Sequence, residues 1–192
     1  MKIECVQEKL RTAIGYAEKI SGKHMTLPVL SCLLLEATSR GGLVIKSTNL
    51  DLGIEISVPA KIEEEGTVAV PAQVINSFVG GLVGEENSVK LVTDQNNLKV
   101  GTSRSSGVIK TMPADDFPNV PRVEKNNSFS FNAQEFVKGL KSVWYSSSVS
   151  SIKPELSSIY IYCDGEFIIF AATDSLRLAE KKVKMKKNKD FG

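Results

Sequence analysis

Residues 67–82, Thr67-Val68-Ala69-Val70-Pro71-Ala72-Gln73-Val74-Ile75-Asn76-Ser77-Phe78-Val79-Gly80-Gly81-Leu82, change their hydrophobic period partway along. Up to Val70 the run is short, apolar and β-branched, which suits a strand. Pro71 then stands where a helix favours its first residue, because a missing N–H costs nothing there. From Val74 onward, Val74, Ile75, Phe78, Val79 and Leu82 recur at steps that place them on one helical face. Gly80-Gly81 and Gly84 end the helix. A strand running straight into an amphipathic helix is therefore the unit to look for elsewhere.

It recurs twice. Downstream of the quoted stretch come strands over 88–93, 98–102 and 107–112, with Asn96-Asn97 turning the first pair. Upstream, Lys2-Ile3-Glu4-Cys5-Val6 enters a helix with Val6, Leu10, Ala13, Ile14, Ala17 and Ile20 on one face. Gly22 and Thr26-Leu27-Pro28 break it, and strands follow over 30–37, 43–47 and 50–58. In the last of these, Leu50, Leu52, Ile54, Ile56 and Val58 alternate with polar residues and glycine, the period of a half-buried strand. The third copy opens Ser128-Phe129-Ser130-Phe131, takes Asn132 as N-cap, and buries Phe136, Val137, Leu140 and Val143. Its strands run over 159–163, 167–172 and 178–185, with Asp164-Gly165 turning the first pair. Helices start near residues 6, 71 and 133, a repeat of roughly 60 residues.

The predicted fold is α+β: repeated β-α-β-β-β units with helices on one face of antiparallel sheets. Pro113, Pro118 and Pro121 crowd the segment after the second unit and forbid a continued ladder or helix. The expected division is therefore residues 1–122, holding two units, and residues 123–192, holding one. Asp190-Phe191-Gly192 falls where a fourth unit is expected to begin, so the second domain reads as a half.

Composition narrows the function. The chain has 192 residues, 42% hydrophobic and 24% charged, with a net charge of only +2. Tight nucleic-acid binding through many phosphate contacts calls for far more positive charge, so any DNA role depends on where the lysines sit. Cys5, Cys32 and Cys163 lie far apart without a C-x-x-C pair, which reads as reduced, buried thiols in a cytoplasmic protein. No apolar run approaches the ~20 residues that span a bilayer, and no membrane partner is expected. Asp115-Asp116 and Asp174 are the carboxylates to weigh as metal ligands for phosphoryl transfer. Adjacent residues of an extended chain point opposite ways, and no His, Cys or Glu joins them at ligand spacing. Neither a metal nor another cofactor is expected. His24, the single histidine, has no identifiable triad partner.

Two helices carry a basic stripe opposite their apolar one. Lys9, Thr12, Tyr16, Lys19 and Lys23 form the first; Gln134, Lys138, Lys141 and Tyr145 form the other, while the middle helix has no lysine. On residue pattern alone these are either solvated faces or screened, mobile contacts to phosphates.

Five motifs carry a resemblance when taken in order: Thr26-Leu27-Pro28-Val29-Leu30, Thr48-Asn49-Leu50-Asp51-Leu52, Val70-Pro71-Ala72, Met112-Pro113-Ala114-Asp115-Asp116-Phe117-Pro118, and Ala172-Thr173-Asp174-Ser175-Leu176-Arg177-Leu178-Ala179. Over its whole length the chain resembles the bacterial DNA polymerase III beta subunit, the sliding clamp. The resemblance implies the DNA-clamp fold, with three domains per subunit and two subunits closed head to tail into a ring around double-stranded DNA. This chain would supply domain one and the first half of domain two. It also implies a non-catalytic role in DNA replication, tethering the replicative polymerase, the clamp loader and other proteins that carry clamp-binding motifs.

Carried over residue by residue, the DNA-facing set is Lys9, Lys19, Lys23, His24, Lys138 and Lys141. The wall of the client-peptide pocket is Leu156, Thr173, Ser175, Leu176, Arg177 and Leu178. Ser175-Leu176 stands where the family usually has Gly-His, a departure that bears on pocket shape and client preference. Phe78, Leu82, Val108 and Ile109 are the candidates for the contact with a second copy, with core packing as their alternative. The competing function is a repeat-built interaction module with no DNA role.

Overall fold

The computed structural model describes residues 1–22, 27–82, 87–120, 131–150 and 152–184. The chain divides into two compact units, Met1–Arg122 and Val123–Gly192.

In the first unit the order is β1 (Lys2–Val6), α1 (Gln7–Ile20), β2 (Cys32–Thr38), β3 (Gly42–Thr48), β4 (Gly53–Val58), β5 (Ala60–Glu64), β6 (Gly66–Pro71), α2 (Ala72–Gly81), β7 (Ser88–Asp94), β8 (Asn97–Gly101) and β9 (Ser106–Lys110). Two antiparallel sheets result, ordered β5-β1-β7-β8-β9 and β4-β3-β2-β6. The two repeats exchange their opening strands. Strand β1 pairs with β7 of the second repeat, and β6 pairs with β2 of the first.

Period-two burial explains both sheets. Leu33, Leu35, Leu43 and Ile45 from one, and Val89, Leu91, Leu98 and Val100 from the other, meet Leu10, Ile14 and Ala17 of α1 and Ile75 and Val79 of α2 in a single core. Each large aliphatic side chain buried there contributes about 1.5–3 kcal/mol. The helices touch, and Asn76 Nδ2 donates to Glu18 Oε2 at 3.3 Å. A smaller cluster of Val29, Cys32, Leu34, Ala69 and Phe117 takes the alternate residues of β2 and β6. It pins down the 3-10 turn Pro28–Ser31 and the proline-rich loop after β9.

The second unit contains α3 (Ala133–Val143), the 3-10 turn Trp144–Ser146, and β10 (Tyr160–Asp164), β11 (Phe167–Thr173) and β12 (Leu178–Lys184) in that sheet order. Asn132 caps α3, its Oδ1 accepting from the N–H groups of Gln134 at 2.9 Å and Glu135 at 3.2 Å, as expected. Val143, Ile168, Phe170, Ala172, Ala179 and Val183 form the core, flanked by Phe131, Phe136, Leu140 and Ile159. The Phe136 and Phe170 rings meet edge to face with centroids 5.5 Å apart.

Several expectations need correction. Strand β5 is additional to the expected strands, because Lys61 and the Glu63-Glu64 pair mask its alternation. The strand expected from Leu50 begins only at Gly53. Leu50 and Leu52 are 61% and 59% exposed in the preceding turn, since Asn49 Oδ1 captures the N–H groups of Asp51 and Leu52. Val6, Val74 and Val137, assigned to buried stripes, are exposed. Pro71 ends β6, pairing with Cys32, and the helix starts one residue later. Cys163 is exposed, unlike Cys5 and Cys32. Most of the expected strand over 128–131 and the helix stop at Gly84 lie outside the described residues.

Candidate functional site

Helix α1 buries one face, leaving Lys9, Thr12, Tyr16 and Lys19 exposed on another. Lys19 Nζ stands 5.9 Å from the centre of the Tyr16 ring, and Lys9 and Tyr16 line a shallow groove against Ile56–Pro59 at the end of β4. On α3, Lys138 and Lys141 are exposed beside Gln134 and Val137. None of these four lysines is ion-paired to another described residue. Lys23 and His24 lie outside the described residues.

The segment from Thr173 to Arg177 folds as one closed turn between β11 and β12. Thr173 Oγ1 donates to the Arg177 carbonyl at 2.8 Å and accepts the Ser175 N–H at 3.1 Å. Asp174 Oδ1 accepts the N–H groups of Leu176 and Arg177 at 3.0 and 2.9 Å. Its Oδ2 meets Arg177 Nε at 2.9 Å. These bonds, led by the Arg177 and Leu176 amides, hold the Asp174 carboxyl below the usual range. The turn thus places Leu176 and Leu178 outward, 95% and 72% exposed, around a fixed polar knot. Ser175 adopts φ 76°, so serine occupies the left-handed conformation that glycine takes more readily. Leu156 is half-buried in the loop before β10, its carbonyl accepting the Ser148 N–H at 2.7 Å.

That loop holds residues the sequence reading passed over. Val149 and Ile152 are fully or almost fully exposed. Their signal was weak, since apolar residues scattered among serines follow neither a helical nor a strand period.

The four residues proposed for a contact with a second copy separate. Leu82 and Ile109 belong to the core of the first unit, and Phe78 is half-buried with its ring over Gly107. Val108 is exposed on β9, which pairs only with β8 among the described strands.

Asp174 is committed to its turn, and Asp115 and Asp116 are exposed in the loop that Phe117 anchors. Among the described residues, no cluster of three or more His, Cys, Asp or Glu could hold a metal. Nor is any described helix long and apolar enough to cross a membrane.

The chain matches the family model described as DNA polymerase III beta subunit, N-terminal domain, over residues 1–121. It is 29% identical over 184 residues to the beta sliding clamp of Synechococcus elongatus, covering 93% of this chain and 48% of that protein. The beta sliding clamp of Synechocystis sp. is 30% identical over 185 residues, covering 93% of this chain and 47% of its own length. The chain therefore spans about half the length of these relatives. Among solved structures, the Bacillus subtilis DNA polymerase sliding clamp superposes with a TM-score of 0.90 at 20% identity, over 100% of this chain and 52% of that one. A putative DNA polymerase III beta subunit from Eubacterium rectale gives 0.91 at 21% identity, over 97% and 51%. These likenesses establish the DNA-clamp fold. With strand-exchanged β-α-β-β-β repeats in place and a family model covering more than half its residues, the chain belongs to the DNA polymerase III beta subunit family.

Proposed function

We propose that this chain forms the leading portion of a sliding-clamp subunit, a non-catalytic processivity factor that encircles duplex DNA. Residues 1–122 would be clamp domain one and residues 123–192 the first half of domain two. A second copy of the full-length subunit would close the ring, with Val108 on the β9 edge as the exposed member of its contact set.

The observation that carries this reading is the placement of charge on an almost neutral chain. Lys9, Lys19, Lys138 and Lys141 are exposed on helices whose other faces are buried against sheets. A ring held by topology needs only weak, screened attraction to phosphates. Lys23 and His24 would extend the α1 stripe.

Client capture is assigned to the Thr173–Leu178 turn with Leu156. Exposed Leu176 and Leu178 offer apolar contacts, and Arg177 offers a polar anchor, the combination that linear-motif recognition uses. The replicative polymerase, the clamp loader and other clamp-binding-motif proteins would dock there.

Loading of the full-length subunit by a clamp loader onto nicked circular DNA tests the proposal. Retention on the circle and release after linearisation are expected. Equal behaviour on both forms, at any salt, would instead support an interaction module without a DNA role.

A further inference from the structure

The exposed lysines of α1 and α3 are not alike. The positions three and four residues from Lys19 hold Gly15, Tyr16, Gly22 and Lys23, so no carboxylate on its own helix face competes for its ammonium. Glu18, the nearest acid in sequence, turns toward α2, where its Oε2 accepts from Asn76 Nδ2. Lys19 Nζ instead stands over the Tyr16 ring, 5.9 Å from its centre. Helical side chains lean back toward the N-terminus, which carries residue 19 over the turn that holds residue 16. Among the described residues, Lys9, Lys138 and Lys141 have no ring so placed.

Tyr16 suits a supporting role. It is 56% exposed and lines the groove between α1 and the end of β4 with Thr12, Ser57, Val58 and Pro59. Its ring thus stands at the rim of that groove, with part of it open to solvent. A cation over an aromatic face is attracted by the ring quadrupole, yet keeps its charge for a second anionic partner. A carboxylate in the same place would cancel that charge.

We infer that Tyr16 is a positioning residue for the DNA face, its ring holding the Lys19 ammonium where it meets a phosphate. A lysine side chain is flexible, and ordering it at the moment of binding costs affinity. The ring orders it beforehand. This inference rests on the proposed reading of α1 as part of the DNA face and goes beyond it, because it makes one lysine's contribution depend on the residue beside it.

Binding of the full-length subunit to a linear DNA duplex, followed by fluorescence anisotropy over a salt series, tests it. Tyr16→Leu is expected to weaken binding about threefold without changing the salt slope, since no charge is lost. Tyr16→Phe keeps the ring and should bind as the parent does. Lys19→Ala should weaken binding and make the slope shallower by roughly one unit, and adding Tyr16→Leu to it should cost nothing more. On the 192-residue chain, NMR should show the Lys19 ε-methylene protons shifted upfield by the ring in the parent and in Tyr16→Phe, and unshifted in Tyr16→Leu. Tyr16 is exposed, so its variants keep the fold, and circular dichroism checks this.

A loss with Lys19→Ala but none with Tyr16→Leu overturns the inference and leaves the DNA face standing. Tyr16→Phe as weak as Tyr16→Leu overturns it too, as does a further loss when Tyr16→Leu is added to Lys19→Ala. Lys19→Ala without effect removes Lys19 from the DNA face, and the inference falls with that reading.

Discussion

Leu50 and Ser175 share one backbone conformation, φ 79° and 76°, at the same position of two turns 125 residues apart in sequence. The turns match bond for bond. Thr48 Oγ1 donates to the Leu52 carbonyl as Thr173 Oγ1 does to that of Arg177, at 2.9 and 2.8 Å. Asn49 Oδ1 accepts from Asp51 and Leu52 as Asp174 Oδ1 does from Leu176 and Arg177. The first turn joins β3 to β4 and the other β11 to β12, in each case the second and third strands after the helix of the repeat, so the duplication extends to individual hydrogen bonds.

Ser175→Gly should raise thermal stability, as should Leu50→Gly. Relief of the left-handed strain outweighs the added chain entropy by about 0.5–1 kcal/mol. Both residues are exposed, so the core packing stays intact. Chemical denaturation of each variant measures it, and destabilisation at both sites would contradict the turn geometry.

Acid should affect one turn and spare the other. The Asp174 carboxyl is held low by the Arg177 and Leu176 amides and then by the Arg177 guanidinium. A folded pKa below the unfolded one contributes stability above the unfolded value, near 3.9 for Asp, and loses it as pH falls through the folded value. Asn49 fills the same place with an amide that does not titrate. NMR titration should show the Leu176 and Arg177 amides shifting below that range, and Asp174→Asn should abolish those shifts.

Thiol reactivity should distinguish the three cysteines. Burial pushes the Cys5 thiol up to about 12 and raises that of Cys32 as well, whereas Cys163 is exposed on β10. Dilute native protein should therefore bind one equivalent of reagent rapidly, at Cys163, and denatured protein all three. Rapid native labelling of Cys5 would contradict the burial of β1.

Gly139→Ala should destabilise the second unit by about 1–3 kcal/mol. A Cβ there would lie 2.7 Å from Phe170 Cδ2 and closer still to the ring edge. Phe170 is fully buried and has nowhere to swing. Gly80→Ala, with open space around it, is the control that should stabilise its helix; unfolding curves compare the two.

If the proposed DNA face is right, Lys9→Ala and Lys138→Ala should each reduce DNA affinity uniformly across sequences. Removing one lysine from a phosphate should make the salt dependence shallower by roughly one unit of slope. Binding of the full-length subunit measured over a salt series reads this directly. An unchanged slope for both would place those lysines on a plain solvated face.

The sequence by itself determined the repeat, the helices and most strands, because periodic burial is written in local residue order. Leu10, Ile14 and Ala17, or Leu98 and Val100, need no tertiary information to be assigned to a buried face. It also carried Asn132 as a cap and the motifs that became turns and loop anchors. Tertiary structure alone decided the exchange of β1 and β6 between repeats, since a strand's pairing partner depends on contacts remote in sequence. It decided that Leu50 and Leu52 face water, because the capture of two amides by Asn49 overrides their alternation. It separated Val108 from Leu82 and Ile109, which share its chemistry but lie on the other side of a strand or helix. It left Val137 and Ile161 exposed too, for burial requires a neighbour to cover them as well as an apolar side chain.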